Sequence, residues 1–108
     1  MAHYSLPRFR TYQAAIRFYR ECEGLKMPYH LRDQLLRAAS SIVLNLAEGS
    51  AKESEKDRLR FYRIALGSLR ECQAALSLAR SPAVPALLAL ADGVGGGIYR
   101  LCHRAREG

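Results

Sequence analysis

The sequence predicts an all-α protein, an antiparallel up-down-up-down four-helix bundle forming one domain over residues 1–108. Apolar residues recur at i, i+3, i+4 and i+7 in four segments, as in helices that bury one face. The four prolines lie near the N-terminus or between those segments, where they interrupt no helix. Hydrophobic residues make up 49% of the 108 residues, which is enough for a single core.

The first helix is predicted over residues 9–23, with Gly24 as its stop. Its apolar face consists of Tyr12, Ala15, Ile16 and Tyr19. Three further aromatic residues lie just off the apolar faces of the first and third helices: Phe9, Phe18 and Phe61. Either a subunit interface or the aliphatic stems of neighbouring arginines would cover these rings.

The second helix is predicted over residues 29–48. Its apolar stripe consists of Leu31, Leu35, Ala38, Ile42 and Leu46, flanked by Ala39 and Val43. Gly49 is expected to end this helix in the left-handed conformation, which glycine adopts without steric cost.

The third helix is predicted over residues 55–80, closed by Ser81-Pro82. Ser54 with Asp57 resembles a capping box, and Ser50 with Glu53 is the alternative start. The expected buried face is Tyr62, Ala65, Leu69, Cys72, Leu76 and Ala79, flanked by Leu59 and Leu66.

The fourth helix is predicted over residues 85–104, on Leu87, Leu88, Ala91, Val94, Ile98 and Leu101. Gly93 and residues 95–97 are glycines inside it, and each costs about 0.5–1 kcal/mol relative to alanine. Either the helix breaks near Asp92, or it continues because another backbone packs closely against it. The apolar period resumes in phase at Ile98 and Leu101, which favours a continuous helix.

The net charge is +7, and 14 of the 17 basic residues are arginine. Basic residues align in stripes on the first and third helices and cluster near the C-terminus. The candidate nucleic-acid-binding residues are Arg10, Arg17, Arg20, Lys56, Arg60, Arg63, Arg70, Arg100, Arg104 and Arg106. Such stripes are typical of binding to a polyanion, and the alternative is a solvated face that keeps the protein soluble. No base-reading motif is present, so binding is expected to be backbone-directed and sensitive to salt.

We find no sequence signature of an enzyme, and we expect no catalytic residue, no cofactor and no metal site. The three histidines are far from one another, and the glycines at 93–97 lack the Lys-Ser/Thr of a phosphate-binding loop. Cys22, Cys72 and Cys102 are expected to pack as small apolar residues. With no apolar leader and no segment long enough to cross a membrane, the protein is expected to be cytoplasmic, with no membrane partner.

Two short motifs are interpreted as joints of the bundle or of its assembly: Asn45, Glu48 and Gly49 on the second helix, and Gly67 with Ser68 on the third. Glu48 lies at the unfavourable negative end of a helix dipole, so a cation is expected beside it, such as an arginine of a neighbouring helix or subunit. Asn45 needs hydrogen-bond partners near the core, and a close approach at Gly67-Ser68 would supply them.

These motifs also carry a resemblance. Residues 37–42 (RAASSI), 45–49 (NLAEG), Arg60-Phe61 and 65–69 (ALGSL) with Glu71 resemble a bacterial four-helix-bundle family encoded in intervening sequences of 23S rRNA genes. That family is related to the accessory variability protein of diversity-generating retroelements. The resemblance covers residues 12–79.

The resemblance implies a homopentameric, barrel-like assembly with a basic surface suited to nucleic acid. For the retroelement branch it implies a reverse transcriptase as partner, and it implies no catalytic residues. This chain departs from the family pattern at Val43, where proline is common, at Ser50-Ala51, and in the glycine run of the fourth helix.

The predicted function is that of a non-enzymatic, basic, oligomeric protein binding RNA or DNA, in one version as an accessory subunit of a retroelement reverse transcriptase. The alternative is a protein-interaction scaffold encoded in or near rRNA genes, whose basic stripes meet an acidic protein partner.

Overall fold

The computed structural model describes residues 6–107, apart from the side chains of residue 7 and of residues 105–107. A 3-10 turn at Leu6–Arg8 precedes four α-helices: α1 (Arg10–Glu23), α2 (Tyr29–Ser50), α3 (Glu55–Leu78) and α4 (Val84–Glu107). Over these residues the chain contains no strand. The prediction of an all-helical protein with four helices is confirmed.

The helices pack side by side around one core. α1 and α3 each pack against both α2 and α4, so α1 and α3 occupy diagonal corners. Contacts between α2 and α3 run in opposite order along the two helices, from Leu35 against Cys72 to Ser41 against Ser68. The molecule measures 43 × 21 × 18 Å.

The buried faces of α2, α3 and α4 follow the predicted periodicity, with Leu35, Ile42 and Leu46 fully enclosed on α2. The buried face of α1 is rotated from the predicted one. It consists of Ala15, Phe18 and Cys22, whereas Tyr12, Ile16 and Tyr19 are half-buried. Phe18 carries no polar atom and takes the core position, while a tyrosine at the edge keeps its hydroxyl within reach of water.

The aromatic residues that raised the question of a subunit interface divide into two groups. Phe9 and Phe18 are buried inside this chain, at 3% and 0% exposure, so they give no argument for an interface. Phe61 is half-buried, with the Arg60 guanidinium 4.5 Å and the Lys52 Nζ 5.3 Å from its ring centroid. Neighbouring cationic side chains therefore lie over Phe61.

The start of α3 is the one predicted from Ser54. The Ser54 Oγ accepts a hydrogen bond of 3.1 Å from the Asp57 backbone N–H, and α3 begins at Glu55. The alternative start at Ser50 is wrong, because Ser50 is the last residue of α2 and its hydroxyl donates to the Ala47 carbonyl.

Gly49 does not end α2 in the left-handed conformation. α2 runs through Gly49 to Ser50, two residues beyond the predicted end, and no described glycine has a positive φ. A Cβ atom at Gly49 would lie 2.7 Å from Tyr62 Cε1 and 3.1 Å from Phe61 Cβ. The close contact between α2 and α3 therefore explains the glycine.

Gly67, unlike Gly49, is not in close contact with another helix. It is exposed, and a Cβ atom there would meet no other atom within 4 Å. The predicted close approach at Gly67 is wrong, because this residue lies on the outer face of α3.

α4 is continuous through its glycines, as the phase of its apolar residues predicted. Two of the glycines mark close packing. A Cβ atom at Gly95 would lie 2.8 Å from Leu69 Cδ2 of α3, and one at Gly97 would lie 2.7 Å from Thr11 Oγ1 of α1. Tertiary contacts therefore explain Gly95 and Gly97 despite the poor helix propensity of glycine.

Two arginine side chains donate hydrogen bonds to backbone carbonyls at the connections between helices. Arg32 Nη2 donates to the Glu23 carbonyl at the end of α1, at 2.6 Å. Arg58 Nη1 donates to the carbonyls of Lys52 and Glu53 in the segment between α2 and α3, at 3.1 and 2.6 Å. Part of the arginine content is therefore structural, since these side chains satisfy carbonyls that no helix bonds.

The contrast between Gly49 and Gly67 gives a stability test. We expect Gly49→Ala to lower the free energy of unfolding by about 1–3 kcal/mol, because the buried Tyr62 ring has no room to move. Gly67→Ala is the matched control and should raise it by about 0.5–1 kcal/mol through helix propensity alone. Urea denaturation followed by circular dichroism measures both. A Gly49→Ala variant as stable as Gly67→Ala would contradict the close contact.

Candidate nucleic-acid interface

The candidate basic residues are exposed wherever their side chains are described. These are Arg10, Arg17, Arg20, Lys56, Arg60, Arg63, Arg70, Arg100 and Arg104. The side chain of Arg106 lies outside the described part of the structure. Exposure is necessary for contact with a polyanion, and the positions of these residues then determine which of them act together.

The stripes on α1 and α3 do not form one surface. α1 and α3 lie at diagonal corners of the bundle, so their outer faces point in different directions. α4 lies between them and packs against both. α2 also packs against both, but the candidate basic residues outside α1 and α3 all belong to α4, so these are the ones that can connect the two stripes.

Four arginines surround a cleft of about 280 Å³ between the start of α1 and the C-terminal half of α4. We call this group the arginine cleft: Arg8, Arg10, Arg100 and Arg104. Phe9, Thr11, Gly97 and Leu101 complete the lining among the side chains that the structure describes, and none of these is acidic. The predicted C-terminal cluster is thus brought next to the start of the α1 stripe.

The packing of α1 on α4 creates the arginine cleft. Thr11 lies against Gly97, and Phe9 is buried in the core at 3% exposure. These two contacts hold the segment from Arg8 to Arg10 against α4. Arg17 lies further along the same junction, in a groove of about 420 Å³ that it shares with Gln13 and the exposed Gly93.

Sequence reasoning missed Arg8. It belongs to the 3-10 turn before α1, so it falls outside the helical spacing that defined the stripe. The signal available in the sequence was Arg8-Phe9-Arg10. Burial of the aromatic residue between the two arginines keeps both arginines at the surface.

The start of α1 adds positive charge to the arginine cleft. The N-terminus of α1 has no side-chain cap and no acidic residue in its first turn. The positive end of the helix dipole therefore lies beside Arg8 and Arg10. Neither these two residues nor Arg100 forms an ion pair with a described carboxylate.

A second groove, of about 360 Å³, runs between α3 and α4. Arg70 of the α3 stripe lines it together with Arg100 and Tyr99 of α4. Arg100 therefore belongs to both the groove and the arginine cleft. Through this residue α4 joins part of the α3 stripe to the start of α1.

Two of the predicted joint residues, Asn45 and Ser68, belong to a polar seam between α2 and α3 in which Ser41 connects them. The hydroxyls of Ser41 and Ser68 lie 2.8 Å apart, and Asn45 Nδ2 donates to the Ser41 carbonyl at 2.9 Å and to its hydroxyl at 3.1 Å. Ser41 therefore satisfies Asn45 directly and connects it to Ser68.

Glu48 has a cationic neighbour, but a different one from that expected. Its carboxylate lies 3.1 Å from Lys52 Nζ, one turn further along the chain, and both side chains are partly exposed. This local pair replaces the predicted arginine of another helix or subunit. Exposed pairs of this kind contribute at most about 1 kcal/mol.

Two of the three cysteines are core residues. Cys22 and Cys72 are fully buried, and burial raises the pKa of each thiol from 9.0 to about 12. Cys102 is half-buried on α4. The two buried thiols pack as small apolar groups, as predicted.

The described residues contain no group of three or more His, Cys, Asp or Glu side chains arranged to hold a metal ion. Among the described helices, none is long and apolar enough to cross a membrane.

The chain matches the sequence profile of the family described as 23S rRNA-intervening sequence protein over residues 9–84. The chain belongs to that family. The match includes α1, α2 and α3 and ends at the first residue of α4. A comparison with curated proteins gives no match.

Membership of the 23S rRNA-intervening sequence protein family confirms the resemblance read from residues 12–79. The family connects this chain with rRNA genes through its name. Half of the residues that line the arginine cleft, and five of the nine that line the α3–α4 groove, are α4 residues beyond the matched range.

The raised thiol pKa values predict a pH-dependent stability. The folded chain keeps Cys22 and Cys72 protonated up to about pH 12, whereas the unfolded chain ionises them from pH 9.0. The free energy of unfolding should therefore fall as pH rises above 9, by about 1 kcal/mol per thiol at about pH 10. Urea denaturation at about pH 8 and pH 10 measures this fall.

The control separates these thiols from other groups that titrate at high pH. The Cys22→Ala/Cys72→Ala variant should lose less stability between the two pH values than the wild type, whatever its stability at pH 8. Cys102→Ala should keep the wild-type fall. An equal fall in all three proteins would exclude the buried thiols as its cause.

Proposed function

We propose that this chain is a non-enzymatic, basic, oligomeric protein that binds RNA or DNA through the phosphate backbone. The observation that supports this most directly is the arginine cleft, where four guanidinium groups from the turn before α1, the start of α1 and α4 surround a cavity. None of the described side chains that line it is a carboxylate. The proposal includes no catalytic residue, cofactor or metal ion.

Phosphate is the anion that this arrangement suits best. A guanidinium donates two parallel hydrogen bonds to phosphate oxygens, and the start of a helix adds a favourable dipole. The net charge of +7 attracts a polyanion over a longer range. Because each phosphate contact releases counterions, affinity should depend steeply on salt.

The other candidate residues extend the same surface. Arg17 continues from the arginine cleft along the α1–α4 junction, and Arg70 lies across the α3–α4 groove. We assign Arg20, Lys56, Arg63 and Arg106 to weaker, longer-range attraction. Arg60 lies over the Phe61 ring, so part of its role is to cover that ring.

We further propose that the protein is an up-down-up-down antiparallel bundle that assembles into a homopentamer. Two large apolar side chains are more than half exposed in the single chain: Leu44 at 66% and Leu78 at 65%. Leu44 and Leu78 lie on α2 and at the end of α3. Burial against another copy would remove this apolar surface from water.

The retroelement branch implied by the resemblance suggests a reverse transcriptase as the protein partner, with this chain as its accessory subunit. Purification of the complex with nuclease treatment tests this proposal. A reverse transcriptase that stays bound after nuclease supports a direct protein contact. An acidic protein that stays bound instead, with no nucleic-acid affinity, would support a protein-interaction scaffold.

Nucleic-acid binding should be salt-dependent and should involve the arginine cleft. With about four phosphate contacts to a single strand, affinity should fall about 50-fold between about 50 and 200 mM salt. Arg10→Gln and Arg100→Gln should each weaken binding to all sequences alike and reduce the salt slope by about 1. Fluorescence anisotropy with labelled RNA and DNA measures both effects.

Arg37→Gln is the matched control for these two variants. Arg37 is an exposed arginine of α2, outside the arginine cleft, and it lies 3.7 Å from the Asp33 carboxylate. This variant should keep the wild-type slope. No binding at either salt concentration, or equal binding at both, would refute the proposed function.

The assembly should be visible by light scattering. We expect a mass about five times the 12.1 kDa of one chain. Leu44→Glu should lower this mass because it places a charge on an exposed apolar position of α2. Gln34→Glu adds the same charge at an exposed polar position of the same helix and should not. A wild-type mass of one chain would refute the assembly.

A further inference from the structure

Tyr99 is an aromatic residue that the core does not use. It lies in the C-terminal half of α4 and is 59% exposed. Its recorded ring contact is with His103, at 4.4 Å between centroids and 69° between planes. Most of the residue therefore remains available to a ligand.

The surroundings of Tyr99 are basic on both sides. Arg70 of α3 lines the same groove, and Arg100 follows Tyr99 on α4. Asp92 is the acidic residue of this groove, and it lies about two helical turns before Tyr99. Neither Arg70 nor Arg100 forms an ion pair with a described carboxylate.

Gly96 leaves the helix surface before Tyr99 without a side chain. It lies about one turn before Tyr99. Arg100 Nη1 lies 3.5 Å from the position that a Cβ atom at Gly96 would occupy. The Arg100 side chain thus folds back along α4 toward Gly96, and it lines the same groove as Tyr99.

Arg100 also joins Tyr99 to the arginine cleft. A strand crossing α4 from the α3–α4 groove to the arginine cleft would therefore meet an aromatic ring and then several guanidinium groups.

We propose that this face of α4 binds single-stranded nucleic acid, with a base stacked on Tyr99 and the adjoining phosphates held by Arg100 and the arginine cleft. Exposed aromatic rings next to a basic groove suit single strands, because every unpaired base offers a face for stacking. In a duplex the bases are already paired and stacked. The inference rests on the proposed nucleic-acid binding and adds the type of strand and the residue that contacts a base.

The test compares four labelled probes of about 12 nucleotides by fluorescence anisotropy at one salt concentration. These are single-stranded RNA, single-stranded DNA, a DNA duplex of the same sequence, and an abasic strand with the same number of phosphates. Tyr99→Ala should weaken binding to at least one base-containing single strand by about 5- to 100-fold. The single strand that loses affinity identifies the nucleic acid. Binding of the duplex and of the abasic strand should not change.

Two variants serve as controls. Tyr99→Phe keeps the ring and should bind like the wild type. Tyr29→Ala removes an equally large ring that is 84% exposed at the start of α2, and it should have no effect.

The outcomes separate this inference from the proposed function. If Tyr99→Ala binds every probe like the wild type while affinity still falls with salt, base stacking on Tyr99 is wrong and backbone binding stands. Equal loss on the abasic strand would also refute stacking, because that probe has no base. If the wild type binds none of the probes, both proposals fail.

Discussion

The contact between Thr11 and Gly97 is the constraint on which the candidate site depends. It lets the start of α1 lie against α4 at a distance where a Cβ atom at residue 97 would force Thr11 to shift. Arg8 and Arg10 belong to α1 and its preceding turn, while Arg100 and Arg104 belong to α4. Only their close packing places the four in one cleft. A helix that broke at the glycines would lose this geometry, so continuity of α4 and formation of the arginine cleft go together.

The start of α1 also shows that the site is not optimised for stability. Two arginines lie at the positive end of the α1 dipole, where each basic residue costs about 0.3–1 kcal/mol, and no side chain caps the helix. The burial of Phe9, at 3% exposure, offsets part of this cost by anchoring the turn in the core. Phosphate oxygens bound at this position would remove the remaining electrostatic penalty, since they offer both negative charge and hydrogen-bond acceptors.

Sequence periodicity predicts the number of helices and most of the core, because burial of one helix face repeats in the sequence itself. Periodicity fails to explain a residue whose role depends on contacts with residues distant in the sequence. Gly49 has the position expected of a helix stop, and only the Tyr62 ring packed against it shows why a glycine is required. Arg8 lies outside any helical spacing, so its place beside Arg100 follows from packing of residues nearly the whole chain apart. The stripes on α1 and α3 were correctly predicted to be exposed, yet their separation by α4 follows from which helices pack together.

The three consecutive glycines of α4, at residues 95–97, do not all have the same explanation. Gly95 and Gly97 lie where Leu69 and Thr11 approach the helix, so packing within the chain accounts for them. Gly96 has no such close contact. Its Cβ position is in ordinary van der Waals range of Arg100, on the outer face of α4. Alanine there would gain about 0.5–1 kcal/mol of helix stability. A glycine at this position is therefore a cost that the fold does not require, and it falls where Arg100 and Tyr99 leave room for a ligand. The family match ends before this segment, at residue 84. The surface proposed to bind a strand therefore lies on a segment beyond the matched range.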